Sequence, residues 1–444
     1  MIIGTSNTRA GPARVRRRLR SILGSTLGNL IEWYDWFAYS TFALYFSHAF
    51  FPADDQTARL LKAAGAFAAG FLMRPLGAWL LGAYADRSGR RSALAFSMAM
   101  MAFGSLILGL APNYNEIGFF APLILVASRV VQGLSVGGEY AISATYLSEM
   151  SEPRHRGFWA SFQNVSTILG QLSAMAVLLL LQRRLTASEL ADWGWRIPFL
   201  IGAAAAILAM FVMLNIEETD SFSAAHERAG TSKFATLFTK YPRELCTVLG
   251  LTMAGGLGFY TFTAYMQKFL VNTTGFSRSL AAEITAGGVV VLLILQPVMG
   301  WISDIVGRRP MLIAFGGLGA LGTVPILTMI SRTHSPVSAF LLIVLALAIL
   351  SAYTSIGGLF QAELFPTEVR ALGLGLPYAF AISTIGGTAE VVALRLKQIG
   401  HESAFYWYVA TMFAISFVTA VGLTTAQSAG SGRSSTRRIR HPDG

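Results

Sequence analysis

Twelve long apolar runs follow one another along the chain, and they restrict its fold more than any other feature. Each is close to or above the roughly 20 residues that a helix needs to cross a bilayer. Only helices and closed barrels satisfy their backbone in lipid, and these runs are much longer than barrel strands. The sequence therefore predicts an all-α membrane protein with twelve transmembrane helices. The runs are 22–47, 60–83, 94–112, 120–147, 158–181, 197–214, 246–270, 282–303, 311–331, 337–360, 371–394 and 404–425.

Composition excludes the main soluble classes. Only 13% of the 444 residues are charged and 54% are hydrophobic, whereas a soluble domain carries about 25% charged residues. Soluble enzymes, nucleic-acid-binding proteins and disordered proteins are therefore excluded. The net charge of +11 does not change this, because the basic residues lie in short segments between apolar runs. The single cysteine, Cys246, cannot form an intrachain disulfide, and we expect it to be buried and inert.

The distribution of basic residues predicts the orientation in the membrane. Lys and Arg accumulate in the loops on the cytoplasmic side of membrane proteins. With the N-terminus inside, the inner tails and loops hold 22 of the 34 Lys and Arg, and the outer loops and helix ends hold 10. The first run has a polar, aromatic centre and no small-residue cleavage site, so it is not a signal peptide. We therefore expect both termini in the cytoplasm.

A long polar segment with charges of both signs divides the chain into halves. It covers residues 215–245 and separates six runs from six. The predicted organisation is a cytoplasmic N-terminal tail at 1–21, a six-helix half at 22–214, a cytoplasmic central loop at 215–245, a second six-helix half at 246–427 and a cytoplasmic tail at 428–444.

The inner loops of the two halves repeat each other. The segment Gly82-Ala-Tyr-Ala-Asp-Arg-Ser-Gly-Arg-Arg91 matches Gly300-Trp-Ile-Ser-Asp-Ile-Val-Gly-Arg-Arg309. Two similar six-helix halves are typical of secondary transporters that rock about a central site. We expect the repeated loops to form a cytoplasmic gate, in which each aspartate lies near the loop arginine of its own half. The predicted gate residues are Asp86, Arg90, Arg91, Glu149 and Arg156 in the first half and Asp304, Arg308, Arg309, Glu363 and Arg370 in the second.

The repeated loop resembles the major facilitator superfamily, and four other segments resemble its metabolite:proton symporter branch. These are Gly28-Asn-Leu-Ile-Glu-Trp-Tyr-Asp35, Phe71-Leu-Met-Arg-Pro-Leu-Gly77, Arg129-Val-Val-Gln-Gly-Leu-Ser-Val-Gly-Gly-Glu-Tyr140 and Trp193-Gly-Trp-Arg-Ile-Pro-Phe199. The resemblance implies two pseudo-symmetric halves in the bacterial inner membrane and proton-coupled import by alternating access. The proton is then the coupling ion, and no cofactor is expected.

The resemblance also implies a small carboxylate as substrate, with α-ketoglutarate as the first expectation. Citrate, shikimate and C4-dicarboxylates remain alternatives, and an osmolyte such as proline or betaine is a more distant one. A drug antiporter would carry a G-P-x-x-G-G-like motif in the fifth run, which reads Val165-Ser-Thr-Ile-Leu-Gly-Gln171 instead. A channel or receptor would not need two halves that each carry a copy of the same gate loop. We expect a monomer in the lipid bilayer, with no nucleic-acid partner and no enzymatic activity.

Ionisable residues inside spans are costly and are functional candidates by default. A divalent carboxylate needs cationic partners, and arginine suits a carboxylate because its guanidinium can donate two parallel hydrogen bonds. Lys268 could instead be an anchor that reaches the outer interface, and the aromatic residues could serve packing alone. The substrate-binding candidates are Arg74, Arg129, Tyr260, Tyr265, Gln267 and Lys268.

Three acids are candidates for proton coupling: Asp35, Glu32 and Glu139. Asp35 and Glu32 lie one helical turn apart and share a face. We expect Asp35 to face Arg129, and the alternative is a fixed ion pair with no transport role. The part that Glu390 plays is left open by the sequence.

Overall fold

The computed structural model describes residues 12–52, 55–88, 90–137, 155–214, 233–366 and 369–423, with the backbone alone at 12–27, 82, 83, 85–87, 90, 91, 233–236 and 371. These ranges are helical and contain no strand. The long helices are α1 (Pro12–Phe50), α2 (Gln56–Ser88), α3 (Arg90–Leu110), α4 (Phe120–Val136), α5 (Arg156–Arg184), α6 (Gly194–Leu214), α7 (Pro242–Asn272), α8 (Arg278–Val306), α9 (Arg308–Arg332), α10 (Pro336–Glu363), α11 (Leu372–Gln398) and α12 (Glu402–Val421).

A long helix lies in each of the twelve predicted runs, and the predicted all-α membrane fold is confirmed. Ten of these helices are long and apolar enough to cross a bilayer, and α4 is apolar but shorter within the described residues. Helix α1 begins ten residues before the predicted run, at Pro12. Proline suits the first helical position, and the arginine-rich segment after it contains no further Pro or Gly before Gly24.

The two halves pack in the same pattern. In the first half, α1 packs against α5 and α6, α2 packs against α4, and α3 packs against α6. The equivalent contacts of the second half are those of α7 with α11 and α12, of α8 with α10, and of α9 with α12. Between the halves, α2 packs against α11 and α5 against α8. The halves are therefore pseudo-symmetric, and each sends two helices to the boundary.

Glycine allows two of these helix pairs to approach closely. A Cβ on Gly133 of α4 would lie 2.0 Å from the carbonyl oxygen of Gly70 in α2, and one on Gly157 of α5 would lie 2.5 Å from that of Gly300 in α8. Small residues permit such close backbone contacts between membrane helices. The first contact holds the helices of Arg74 and Arg129 together, and the second joins the halves.

Helices α7 and α11 each contain a π-helical turn, at Thr261–Tyr265 and Ile382–Gly386. Such turns insert an extra residue into a helix and are frequent at functional sites. Lys268 follows the first turn by three residues and Glu390 follows the second by four. Each π-turn therefore changes the direction in which one of these two charged side chains leaves its helix.

Part of the predicted central loop is helical. A short helix covers Lys233–Lys240, and α7 begins at Pro242 rather than at 246. Leu237 is buried against Phe365 and Val369, which attaches the short helix beneath the second half. Cys246 is exposed on α7, so the expectation that it is buried was wrong.

Candidate transport site

A cavity of about 50 Å³ lies between the two halves. Both halves contribute to its wall. The lining residues are Trp33, Asn164 and Thr167 of the first half and Thr252, Gly255, Gly256, Phe259, Tyr260, Tyr353, Thr354, Gly357, Tyr378 and Ile382 of the second.

Arg74 lies directly behind this wall, in an aromatic cage. Its guanidinium carbon is 4.0 Å from the ring centre of Phe71, 4.4 Å from that of Trp36 and 5.3 Å from that of Trp33. Tyr260 is in hydrogen-bonding reach of the guanidinium. Cation–π contacts stabilise the charge on the faces of the guanidinium and leave its N–H edges open.

The open edge of Arg74 is suited to a carboxylate. Within the described chain, its Nε and Nη2 atoms are buried without a hydrogen-bond partner. These two N–H groups point the same way from one edge of the guanidinium, which is the geometry that binds both oxygens of a carboxylate. Glu32 and Tyr378 lie near enough to Arg74 to interact with its charge. Because Trp33, Tyr260 and Tyr378 also line the cavity, Arg74 is separated from it by its own neighbours alone.

Asp35 and Arg129 form a fully buried pair inside the first half. The Asp35 Oδ2 and Arg129 Nη2 atoms are 3.3 Å apart, and the side chains are 1% and 0% exposed. Gln132 Nε2 donates to Asp35 Oδ2 at 2.7 Å, and the Ser105 hydroxyl donates to Oδ1. Arg129 stacks on Tyr39, with 4.4 Å from its guanidinium carbon to the ring centre. The structure thus brings together the acid and the arginine that the sequence placed face to face.

The Lys268 side chain is buried against Glu390 in the second half. Its Nζ lies 2.7 Å from Glu390 Oε1 and donates to Glu390 Oε2 at 2.8 Å. It also donates to Ser40 Oγ of α1, in the other half, at 2.9 Å. At 1% exposure, Lys268 does not reach an interface, so the anchor alternative was wrong.

The remaining binding and coupling candidates occupy different places. The Tyr265 hydroxyl and Gln267 Nε2 are buried with no hydrogen-bond partner in the described ranges, and neither residue lines the cavity. The Tyr265 ring packs on Phe405. Glu32 is buried near Arg74. Glu139 lies outside the described residues.

Contacts at the end that carries the repeated loops, which we call the inner end, join the two halves. The Asp304 carboxylate accepts hydrogen bonds from the backbone N–H groups of Gly157 and Phe158 at 2.8 and 3.0 Å. Arg308 Nη1 donates to the same carboxylate at 2.8 Å. Asp304 was expected beside Arg370 of its own half, and that contact stays a prediction; the carboxylate also caps α5 of the other half. A helix N-terminus presents free N–H groups and a partial positive charge, which accounts for this.

A second cross-half contact at the inner end joins Arg156 to Glu363, whose side chains are 3.9 Å apart. The partner of Glu363 is therefore in the other half, whereas the expected contact of Arg156 with Asp86 falls on a side chain that is not described. The other gate arginines bond to backbone, with Arg309 donating to Val421 O at 2.7 Å and Arg370 to Phe365 O at 3.2 Å. Three gate candidates, Asp86, Arg90 and Arg91, lie where side chains are not described, and Glu149 lies outside the described residues.

The halves also touch at the opposite, outer end. Besides the Lys268–Ser40 bond, Asn272 Nδ2 donates to Thr57 Oγ1 at 3.4 Å. The Arg278 guanidinium carbon lies 5.2 Å from the ring centre of Tyr45. The central cavity is therefore bracketed by contacts between the halves at both ends.

Sequence reasoning missed several polar residues of the site. Ser105 and Gln132 complete the Asp35 cluster, and Gln361 Nε2 donates to Thr252 and Tyr353 at 2.8 Å each on the cavity wall. A hydroxyl or amide inside an apolar run carries little signal, because it can satisfy its own helix. Glu390 did carry a signal as an intramembrane acid, but its partner is 122 residues away in sequence.

Two pseudo-symmetric six-helix halves around a central cavity are characteristic of a membrane transporter that works by alternating access. Comparison with known families agrees. The model of the family described as sugar (and other) transporter matches residues 22–236 and 216–432. The chain belongs to this family, and its fold is that of the major facilitator superfamily.

Similar proteins extend over nearly the whole chain. The alpha-ketoglutarate permease of Escherichia coli (strain K12) is 47% identical over 94% of this chain and 96% of its own. The citrate-proton symporter of Klebsiella pneumoniae is 35% identical over 88% of each chain. A crystal structure of a D-xylose-proton symporter superimposes with a TM-score of 0.73 at 20% identity, covering 92% of this chain and 98% of the other. That last similarity shows the fold alone.

Proposed function

We propose that this transporter is a proton-coupled symporter that imports α-ketoglutarate across the bacterial inner membrane. The similarity to the Escherichia coli alpha-ketoglutarate permease, 47% identity over almost the full length of both chains, carries the substrate assignment. The Arg74 site beside the cavity agrees with it, because a buried guanidinium with an open edge selects a carboxylate.

Arg74 is the residue that we propose to hold one substrate carboxylate. Binding would fill its two unbonded N–H groups, and the aromatic cage would keep the guanidinium in place. Arg129 can take the other carboxylate only by giving up its bond to Asp35. Its unbonded atoms are Nε and Nη1, which lie on different edges, and its Nη2 is already engaged by Asp35. Tyr260 would add a hydroxyl at the wall of the cavity.

Asp35 is the first proton site in this proposal. An anion that competes for Arg129 removes the positive charge that keeps Asp35 ionised, so the carboxyl would take up a proton as the substrate engages. Proton and substrate would then enter together, which symport requires. Glu32 and Glu139 are the next candidates for this role.

Orientation and assembly follow from the charge bias. The repeated loops and both termini would face the cytoplasm, where 22 of the 34 basic residues then lie. The inner contacts of Asp304 and Glu363 would break when the halves open inward, and the outer contacts of Lys268 and Asn272 when they open outward. The protein would work as a monomer in the bilayer, without a cofactor, a nucleic-acid partner or an enzymatic reaction.

Uptake by purified protein in proteoliposomes tests the function. Labelled α-ketoglutarate should accumulate when the outside is acidic and should not accumulate without a pH gradient. Unlabelled citrate, succinate, shikimate and betaine, each in excess, compare the alternative substrates. The proposal fails if citrate competes better than α-ketoglutarate, since the similarity to the citrate-proton symporter would then identify the substrate.

A further inference from the structure

Six charged side chains are buried in the described part of the bundle, and their charges balance. They are Glu32, Asp35, Arg74, Arg129, Lys268 and Glu390. Asp35 pairs with Arg129 and Lys268 with Glu390, at 3.3 and 2.7 Å. Glu32 lies near Arg74. Three acids therefore oppose three bases around the transport path, and the described interior carries no net charge.

A dicarboxylate disturbs this balance. Both carboxyl groups of such a substrate are ionised at neutral pH, because an ordinary carboxyl pKa is about 4. Two uncompensated negative charges in a buried site would be very costly. Two protons bound with the substrate would cancel them. This argument depends on the proposed function, which supplies the dianion and one proton site at Asp35.

Glu390 is the buried acid best placed to take the second proton. Among the described residues, its carboxylate accepts hydrogen bonds from Lys268 alone, whereas Asp35 accepts from three side chains. The other titratable groups that act on Glu390 are neutral phenols, Tyr39 of α1 and Tyr265 of α7.

One charged residue on each of two other helices packed against α11 has a polar partner of its own. On α2, Arg74 is in hydrogen-bonding reach of Tyr260. On α12, Glu402 accepts from Lys397 Nζ at 3.1 Å. Lys268 is therefore the cation that holds Glu390 in its ionised form.

A proton on Glu390 would make Lys268 available to an anion. Lys268 would keep its bond to Ser40 and have donors to spare among its three N–H groups. It lies eight residues beyond Tyr260 on α7, about 12 Å towards the outer end at the rise of an α-helix. An incoming carboxylate would meet Lys268 before it reaches Arg74. Glu32 can stay ionised when the carboxylate binds Arg74, because the Nε and Nη2 groups of Arg74 have no hydrogen-bond partner even with Glu32 nearby.

We propose that Glu390 is a second proton-binding carboxylate, so that one dicarboxylate dianion is transported with two protons and without net charge. Protonation of Glu390 releases Lys268 as a station for the anion at the outer end, and deprotonation restores the Lys268–Glu390 pair after the substrate has left. The number of protons then follows from the number of acids that the substrate displaces from their cations.

Accumulation at equilibrium measures this number. In proteoliposomes with α-ketoglutarate, two protons per substrate raise the accumulation ratio about 100-fold per unit of pH gradient, and one proton raises it about 10-fold. A potassium–valinomycin clamp sets the membrane potential independently. The wild type should show the steeper dependence and the same ratio at 0 and −100 mV, because no net charge moves.

Glu390→Gln imitates the permanently protonated acid and should remove one coupled proton. The accumulation ratio should then rise only about 10-fold per unit of pH gradient. Each substrate would then carry one negative charge inward, so an inside-negative potential of 100 mV should lower the accumulation ratio about 50-fold. Glu283→Gln, an exposed acid of α8, is the matched control and should behave as the wild type.

Several outcomes overturn the proposal. If the accumulation ratio of the wild type rises only 10-fold per unit of pH gradient and changes with the membrane potential, one proton is coupled to each substrate. A Glu390→Gln variant that keeps the 100-fold dependence places the second proton elsewhere. Should Glu390→Gln be inactive, the double variant Lys268→Gln/Glu390→Gln, which leaves no unpaired charge, gives the same measurement. A wild type that accumulates no α-ketoglutarate at any gradient refutes the proposed function, and this inference with it.

Discussion

The Asp35–Arg129 pair lies wholly within the first half, whereas the Lys268–Glu390 pair lies in the second half and is bonded to the first through Ser40. Asp35 is fixed by donors from two helices, Ser105 on α3 and both Arg129 and Gln132 on α4. Glu390 depends on one partner. The first acid therefore loses its charge only when something competes for its partners, and the second can lose it to a proton alone.

This difference suggests separate tasks for the two pairs. A pair with many donors and complete burial sets a fixed geometry, which suits a site that must respond to substrate. A pair with one charged contact and a bond across the boundary between the halves is sensitive to how the halves meet. The predictions below test this division.

Exchange of the charges should have opposite results at the two pairs. Lys268→Glu/Glu390→Lys swaps side chains of similar length with one main contact, so uptake should stay within about tenfold of wild type, or about 1.4 kcal/mol. Asp35→Arg/Arg129→Asp places a long guanidinium at a site packed for a short carboxylate among fixed donors, and uptake should be lost. Initial uptake rates at matched protein levels measure both. Equal losses in the two double variants would remove the distinction between the pairs.

Asp35→Asn should separate accumulation from binding. The amide can keep hydrogen bonds within the cluster but cannot take up a proton, so uptake driven by a pH gradient should disappear while exchange of labelled for unlabelled α-ketoglutarate persists. Arg129→Lys keeps the charge but loses the planar guanidinium that contacts both Asp35 and the Tyr39 ring, and it should impair both activities. Accumulation by Asp35→Asn with normal proton dependence would move the first proton site to Glu32 or Glu139.

Arg74→Lys tests whether one substrate carboxylate is held outside both pairs. Lysine keeps the charge and loses the two parallel N–H groups, and hydrogen bonds to charged groups contribute about 1.5–3 kcal/mol. The KM for α-ketoglutarate should therefore rise about 10- to 100-fold, with a smaller change in maximal rate. Arg395→Lys, at an exposed position that bonds only Gln398 among the described side chains, is the control. An unchanged KM would exclude Arg74 as a direct ligand.

The fold was predictable because its cause is local. Each apolar run identifies a membrane helix without reference to its neighbours, and the repeat at Gly82 and Gly300 indicates two halves. The site was predictable only in part. The contact between Asp35 and Arg129 was proposed because their depths in the membrane are compatible, but no pattern in the chain identified α5 as the helix that Asp304 caps or Arg156 as the arginine that Glu363 meets. Those contacts depend on which helices meet across the boundary. The repeat shows that the halves are similar, but it does not show how they pack against each other.

Ser40→Ala should have the smallest effect and tests the bond between the second pair and the first half. Its Oγ accepts from Lys268 Nζ at 2.9 Å and donates to Ala264 O at 3.4 Å. The loss of one such hydrogen bond costs about 0.5–1.5 kcal/mol. Because this bond exists only while the outer end is closed, its loss should favour outward opening by up to about tenfold and speed exchange by a few fold. Proton stoichiometry should not change, since Lys268 and Glu390 remain paired.

Ser173→Ala is the control for this prediction, because it removes a hydroxyl that bonds within its own helix and should leave exchange unaffected. A Ser40→Ala variant with altered stoichiometry would mean that the cross-half bond is part of the proton site itself, and that the two pairs do not divide their tasks in this way.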